Sequence, residues 1–322
     1  MPEIGVVDIM RAILFDPVYS GSNKLCILSA YASPSMASWL LKTYEEMTIE
    51  GVSIELIITS TAEESISQMN HNGFMTLHKE NRSEKQNTFS CSYMHQPERI
   101  TDNLYIWLRE ETPVRAFVCS YDFTQTSFLR SRNGAASLCS EVDAYRMFEN
   151  ASKNSTYCDF SEIEDYVIIG ASDLPKSSDL TPDDPNYVSL PLIVQKTGEP
   201  GTKSGLNWGQ RNKRNPNEAY IPLPRKIAKS GFFPLEKQHF LVVTDDHHTL
   251  LLRVEQQNDK AITTPASNAL LGEYFRNRLG LPNGAYVHTS DLDTYGRRDV
   301  SFYKIDEDQY YMDFHRIESR DI

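Results

Sequence analysis

Ser204 to Pro224 reads SGLNWGQRNKRNPNEAYIPLP. Gly205 and Gly209 bracket Trp208, and Arg211, Lys213 and Arg214 stand among Asn207, Gln210, Asn212, Asn215 and Asn217. The stretch closes on Tyr220, Ile221 and Leu223, whose alternation marks the start of a strand. Asn, Gln and Arg are the side chains that pair bidentately with base edges in the major groove. Lys and Arg neutralise phosphates. The stretch therefore predicts a cationic, amide-rich arm that leads into a β scaffold and reads DNA, with a solvated basic loop as the plain alternative. Trp208 could stack on a base, although a Trp between two glycines more commonly anchors its own loop.

Around this arm the strands are short and punctuated by Gly and Pro: Ser189–Val194, Ala219–Leu223, His239–Thr244, Thr249–Glu255 and Ser301–Ile305. A single helical pattern, Asn268–Leu279, interrupts them. That combination predicts a mainly-β, partly open barrel carrying one helix. Arg276 and Arg278 on that helix cannot share a face, so at most one of them should point at DNA. His247 and His248 follow Asp245 and Asp246 in a hairpin turn, where a solvated turn is expected.

Upstream, Ala171–Tyr187 holds three prolines and no apolar periodicity. It predicts a linker that separates residues 1–170 from a second domain, 188–322. In the first domain, residues 9–19 predict a short helix stopped by Pro17. Lys24–Tyr31 predicts a buried strand, and Ser33-Pro34-Ser35 starts a helix over Met36–Thr48. Ser53–Thr59 gives a second strand, so the unit is a right-handed crossover with parallel strands. A helix is expected over Ala62–Met69, and strands over Phe89–Tyr93, Leu104–Trp107, Val114–Cys119, Leu138–Tyr145 and Tyr166–Ile169. The first domain is thus α/β and the second mainly β.

Of 322 residues, 32 are Lys or Arg and 44 are Asp or Glu, a formal charge of −12. From Val188 onward the balance is 18 cations against 17 acids, leaving 14 against 27 before it. The acidic excess belongs to the first domain, and a near-neutral second domain can carry a local basic face. Cys26, Cys91, Cys119, Cys139 and Cys158 are odd in number and contain no CxxC pair. Neither a disulfide framework nor a zinc site is expected. No apolar run approaches membrane-spanning length and no signal peptide is evident, so a cytoplasmic setting is expected.

Taken together, SGLNWGQR (Ser204–Arg211), AYIPLP (Ala219–Pro224), LGEYFRNRLGL (Leu271–Leu281) and DLDTYGRRDVSFYKID (Asp291–Asp306) resemble the NgoFVII-type restriction endonuclease family. KLCILSAYAS and LYIW…AFVCSYDFTQTSF in the first half match the family's strand pattern. The resemblance implies a phospholipase D-like nuclease domain with a mixed sheet flanked by helices, joined to a DNA-recognition domain like the plant B3 pseudobarrel. It implies a homodimer through the first domain and a type II restriction endonuclease acting on a short duplex sequence, without a metal cofactor. It also suggests a companion methyltransferase and a separate helicase-like ATPase, since this chain has no Walker-type phosphate loop. Two arms would grip DNA. One holds Asn207, Trp208, Gln210, Arg211, Lys213, Arg214 and Asn217. The other holds Tyr295, Arg297, Arg298 and Asp299 within Asp291–Asp299.

In the family mechanism a His attacks phosphorus, a Lys holds the charged oxygens, and a Ser/Asn pair and a Glu assist. Here Thr101, Asp102 and Asn103 occupy the place of the His-x-Lys motif. The Gly-Ser-x-Asn element has become Cys119-Ser120-Tyr121-Asp122, and Glu141 is the candidate supporting acid. Three outcomes stay open. The domain is an inactive dimerisation scaffold, making the protein a DNA-binding assembly subunit. Or Asp102, Asp122 and Glu141 gather around Mg²⁺, which prefers carboxylate oxygens. Or His95 or His78 supplies a relocated nucleophile.

Overall fold

The computed structural model describes residues 8–82, 85–96, 102–131, 134–171, 174–175, 181 and 183–316. The chain divides into two compact units, Met1–Ser172 and Asp173–Ile322. Several of the residues expected to form the linker lie outside the described residues, as does Thr101.

In the first unit, α1 (Ile9–Leu14) and α2 (Asp16–Tyr19) precede strand β1 (Lys24–Ser29). Pro17 does not stop a helix but sits in the first turn of α2, where its missing N–H costs nothing. α3 (Pro34–Glu46) begins as expected, with Ser33 accepting from the Met36 N–H and Pro34 in the first turn. β2 (Ser53–Ile58) runs parallel to β1, with Ser29 opposite Ile58. The helix expected over Ala62–Met69 is instead a 3₁₀ turn, the two-residue strand β3 (Ile66–Ser67) and α4 (Gln68–Asn81). Ser67 caps α4, and the polar stretch that follows it hid that helix from sequence reading.

β4 (Thr88–Met94), β5 (Asn103–Arg109), β6 (Thr112–Cys119) and β7 (Ala136–Cys139) follow. The strand expected over Leu138–Tyr145 ends at Cys139. Ser140 then caps α5 (Glu141–Lys153) by accepting from the Asp143 N–H. β8 (Ser155–Tyr157) and β9 (Ile169–Gly170) complete the unit. The main sheet has the order β7-β6-β5-β1-β2-β4-β8. Its β1, β2 and β4 are parallel to one another, and the outer strands are antiparallel to their neighbours. Nearly continuous apolar runs in β1 and β5 are buried on both faces, as central strands of a covered sheet require. Ala144, Phe148 and Ala151 of α5 close one face over Cys26, Leu28 and Ile106. Trp107 Nε1 donates to Ile13 O at 2.7 Å, and Tyr44 Oη donates to Leu14 O at 2.6 Å. These bonds tie α1 to the sheet and to α3.

The second unit holds β10 (Tyr187–Pro191), β11 (Ile221–Pro222), α6 (Arg225–Ala228), β12 (His239–Thr244), β13 (Thr249–Glu255) and β14 (Ala261–Thr263). α7 (Asn268–Leu279), α8 (Thr289–Tyr295), β15 (Asp299–Asp306) and β16 (Gln309–Asp313) follow. Its sheet order is β10-β15-β16-β12-β13-β14-β11, and the two edge strands return towards each other in a nearly closed barrel. Among the described strands of this sheet, only β12 and β16 pair in parallel. The interior is aromatic: the Phe233 ring lies 5.2–5.4 Å from those of Phe240, Phe302 and Tyr310. The fold is therefore the mixed α/β domain and B3-like pseudobarrel that the sequence predicts.

Candidate nucleic-acid interface and cleavage site

The ends of β1, β5 and β6 meet at one edge of the first sheet. Asn103 opens β5 there and is buried. Its Oδ1 accepts from the Ala30 N–H at 2.8 Å and lies 3.1 Å from Ser29 Oγ. The Ser29 hydroxyl also accepts from the Phe123 N–H at 2.9 Å. Burial raises the Asp122 pKa, against hydrogen bonds from the Asn103 side chain and the Tyr31 backbone. Asn103, Ser29 and Asp122 thus satisfy one another inside the edge. Ser120 is exposed, and its Oγ accepts from the Ala135 N–H at 2.9 Å, closing the loop between β6 and β7.

Glu141 does not join this group. β7 places Ala136 beside Cys119 but Cys139 beside Ala116, so the chain runs about 10 Å from the edge before Glu141 starts α5. Among the described residues no three His, Cys, Asp or Glu side chains form a metal-binding group. Among the described residues Asp102, Asp122 and Glu141, one of the three open alternatives, do not gather into such a group. His78 is fully buried in α4, where its Nδ1 accepts from the Cys91 N–H, so it supplies no relocated nucleophile. His95 follows β4, three strands from β5 and hence about 14 Å away across the sheet.

The arm of the second unit is tied to the fold by its own side chains. Short 3₁₀ turns cover Gly205–Gln210 with a kink at Asn207. Asn207 is buried; its Nδ2 donates to Val287 O at 2.9 Å and its Oδ1 accepts from the Val287 N–H at 2.8 Å. Expected as a base reader, it is a strut. Asn217 is likewise buried, donating to Glu273 Oε1 at 3.0 Å and accepting from the Gly284 N–H. Gln210 Nε2 reaches Pro216 O and Gly284 O. Trp208 packs edge-on against Tyr220 and carries the Arg214 guanidinium 4.1 Å above its ring, while Arg214 also pairs with Glu218. Gly272 on α7 lets Asn217 O approach to where a Cβ would sit, 1.7 Å away. The arm leaves Arg211 and Lys213 exposed; the Arg211 guanidinium donates to Lys203 O at 2.8 Å.

The second arm is also internal. Arg297 is buried and bonds Asp313 at 2.6 Å, Asp299 at 3.0 Å and Ser301 at 2.6 Å. Tyr295 donates to Phe314 O. Arg298 stays exposed with its guanidinium on Asp293 at 2.7 Å. On α7, Arg276 is fully buried and Arg278 pairs with Asp245 and Asp246, so neither points outward. His248 Nδ1 sits 3.1 Å from Asp246 in the β12–β13 turn, a solvated arrangement. What sequence reading missed is α6, whose Arg225, Lys226 and Lys229 are exposed beside the strand that the arm feeds. With Lys203, Arg211 and Lys213, they have no ion-pair partner among the described residues.

Residues 7–165 match the NgoFVII restriction endonuclease N-terminal PLD domain. Residues 183–306 match the NgoFVII C-terminal B3-like DNA-binding domain. The chain belongs to the NgoFVII restriction endonuclease family. No curated protein matches it. Within the described residues no helix is long and apolar enough to cross a membrane.

In this NgoFVII-family chain the ion pairs behind the arms also set an acid limit. Burial alone would raise Asp313, but Arg297 and His315 hold it below its ordinary 3.8. Asp246 is likewise pushed up by burial and pulled below 3.8 by Thr244, Arg278 and His248. A depressed folded pKa contributes stability that is present above the unfolded value and lost as pH falls through the folded one. The second unit should therefore lose stability below about pH 4. Denaturant unfolding at a series of pH values would check this, and an unchanged midpoint between pH 5 and pH 3 would refute it.

Proposed function

We propose that this NgoFVII-family chain is the DNA-recognition protein of a restriction system, acting in the cytoplasm on a short specific duplex sequence. Recognition rests on the second unit, and the first unit forms a homodimer. The observation that carries the reading is the B3-like match over a unit whose arm and α6 carry exposed cations without an ion-pair partner among the described residues. Arg211 is the base-reading candidate, because among the described residues its guanidinium bonds one carbonyl and is exposed. Arg298 becomes a reader only by leaving Asp293. Arg225, Lys226, Lys229 and Lys213 serve phosphates.

Charge removal separates the two roles. Cations that contact the phosphate backbone give no sequence information, whereas a base reader does. Replacing Lys226 and Lys229 with Gln should weaken binding to all duplexes and reduce the salt slope by about one per cation. Arg211→Ala should instead cost about 1–3 kcal/mol at one base pair and relax specificity there. Fluorescence anisotropy on randomised duplexes at several salt concentrations reads both. Equal loss on every sequence for Arg211→Ala would reassign that residue to phosphate.

A second reading keeps phosphodiester hydrolysis in the first unit, and the PLD-domain match favours it. A companion methyltransferase and a separate helicase-like ATPase fit either reading.

A further inference from the structure

Cys91 and Cys158 face each other at the β4–β8 edge of the first sheet. The two strands are antiparallel with Ser92 opposite Tyr157, so the next rung sets Cys91 against Cys158. The Cys158 N–H donates to Cys91 O at 3.0 Å. Facing residues of antiparallel strands hold their Cα atoms about 4.5–5.5 Å apart, within the span of a disulfide. Both side chains are fully buried, and each thiol acts on the other's ionisation.

His78 covers the pair. Its Nδ1 accepts from the Cys91 N–H at 3.1 Å, so the neutral ring carries its proton on Nε2. That Nε2 is buried, has no geometric hydrogen-bond partner, and lies 3.5 Å from Asp159 Oδ1 beside the Cys158 thiol. The Cys91 thiol and then His78 pull the Cys158 pKa below its ordinary value, whereas burial pushes Cys91 well above its own. Of the two, Cys158 is therefore the thiol that ionises more readily.

We propose that Cys91 and Cys158 form a redox-modification site, a dithiol that hydrogen peroxide closes to a disulfide across β4 and β8. The Cys158 thiolate attacks one peroxide oxygen; the S–O bond forms, the O–O bond breaks, and hydroxide leaves to become water. The sulfur is now a sulfenic acid. The Cys91 sulfur displaces its hydroxyl, the S–S bond forms, and the hydroxyl leaves with the Cys91 proton as a second water. Two thiols and one peroxide give one disulfide and two waters. β8 is a three-residue edge strand with Tyr157 half exposed, so local opening of that edge admits a small oxidant.

The test treats the reduced full-length chain with hydrogen peroxide, blocks remaining thiols with N-ethylmaleimide under denaturing conditions, and maps the peptides by mass spectrometry. Blocked thiols should fall from five to three, with Cys91 joined to Cys158, and dithiothreitol should restore all five. The rate should follow the thiolate fraction and be half-maximal below pH 8.5, about the ordinary thiol value. Cys91→Ser should leave a sulfenic acid on Cys158 that dimedone traps, and His78→Asn should slow closure roughly 10-fold at neutral pH. Five remaining thiols, a different pairing, or sulfinic acid on Cys158 beside an intact Cys91 in the unsubstituted chain would overturn the proposal. That mapping decides the matter even where a variant fails to fold.

Discussion

Replacing Arg276 with methionine should destabilise the second unit by about 3 kcal/mol and loosen the whole arm. Arg276 is fully buried, and among the described residues no carboxylate is bonded to it. Its guanidinium donates to Ala285 O at 2.8 Å, Leu206 O and Gly272 O at 3.1 Å, and Pro216 O at 3.2 Å. One side chain therefore terminates three separated segments: the turns after Gly205, the loop before Ala219, and the loop after α7. Methionine fills similar volume but leaves these carbonyls buried without that donor, at about 1 kcal/mol each. Relief from burying a charge offsets part of the loss, since burial already lowers the Arg276 pKa. Lysine cannot rescue, because a single ammonium has three donors and lacks the planar fork. Hydrogen exchange should rise across residues 205–223 and DNA affinity should fall on every sequence. Protection unchanged there, with a melting point within a degree of the unsubstituted chain, would rule this out.

That single residue shows where sequence reading stopped. β1, β2 and β5 were legible because each is a largely apolar run on a covered sheet, β6 through its buried Ala116-Phe117 and Cys119 end, and α3 through Ser33 and Pro34. β8, β14 and β16 were not, being short strands of mixed polarity that exist through their neighbours. α5 was hidden because Ser140 ends a strand pattern and caps a helix at once.

The candidate site was legible by type but not by role. An Asn or Arg in a polar stretch has the donors of a base reader whether or not something within the fold uses them. Asn207 is consumed by Val287, 80 positions away, and Arg297 by Asp313, 16 away. No local pattern encodes those distances. α6 carries the opposite lesson: Arg225 and Lys226 look ordinary in sequence, and only their exposure beside β11 marks them.

The purified chain should show no strand scission in EDTA on a duplex that it binds. Covalent phosphoryl chemistry needs a nucleophile within reach of phosphorus and a fixed cation on the non-bridging oxygens. At the end of the sheet where β1, β5 and β6 meet, the family's lysine is replaced by an uncharged side chain. Asn103 stands where the family's lysine is expected, and it is buried with its Oδ1 held by Ala30 and its amide turned to Asp122. Neutral and fully engaged, it offsets none of the charge that builds on a phosphorane. Losing one such electrostatic partner costs about 10²–10³ in rate, and loss of the nucleophile compounds it. The experiment incubates the chain with its cognate duplex in EDTA and again with Mg²⁺, resolving the products on a denaturing gel. Scission confined to the Mg²⁺ arm, or seen only when a partner protein is added, would support hydrolysis by other groups. Specific scission in EDTA would sink the prediction, because a metal-independent nucleophile would then be at work in this chain.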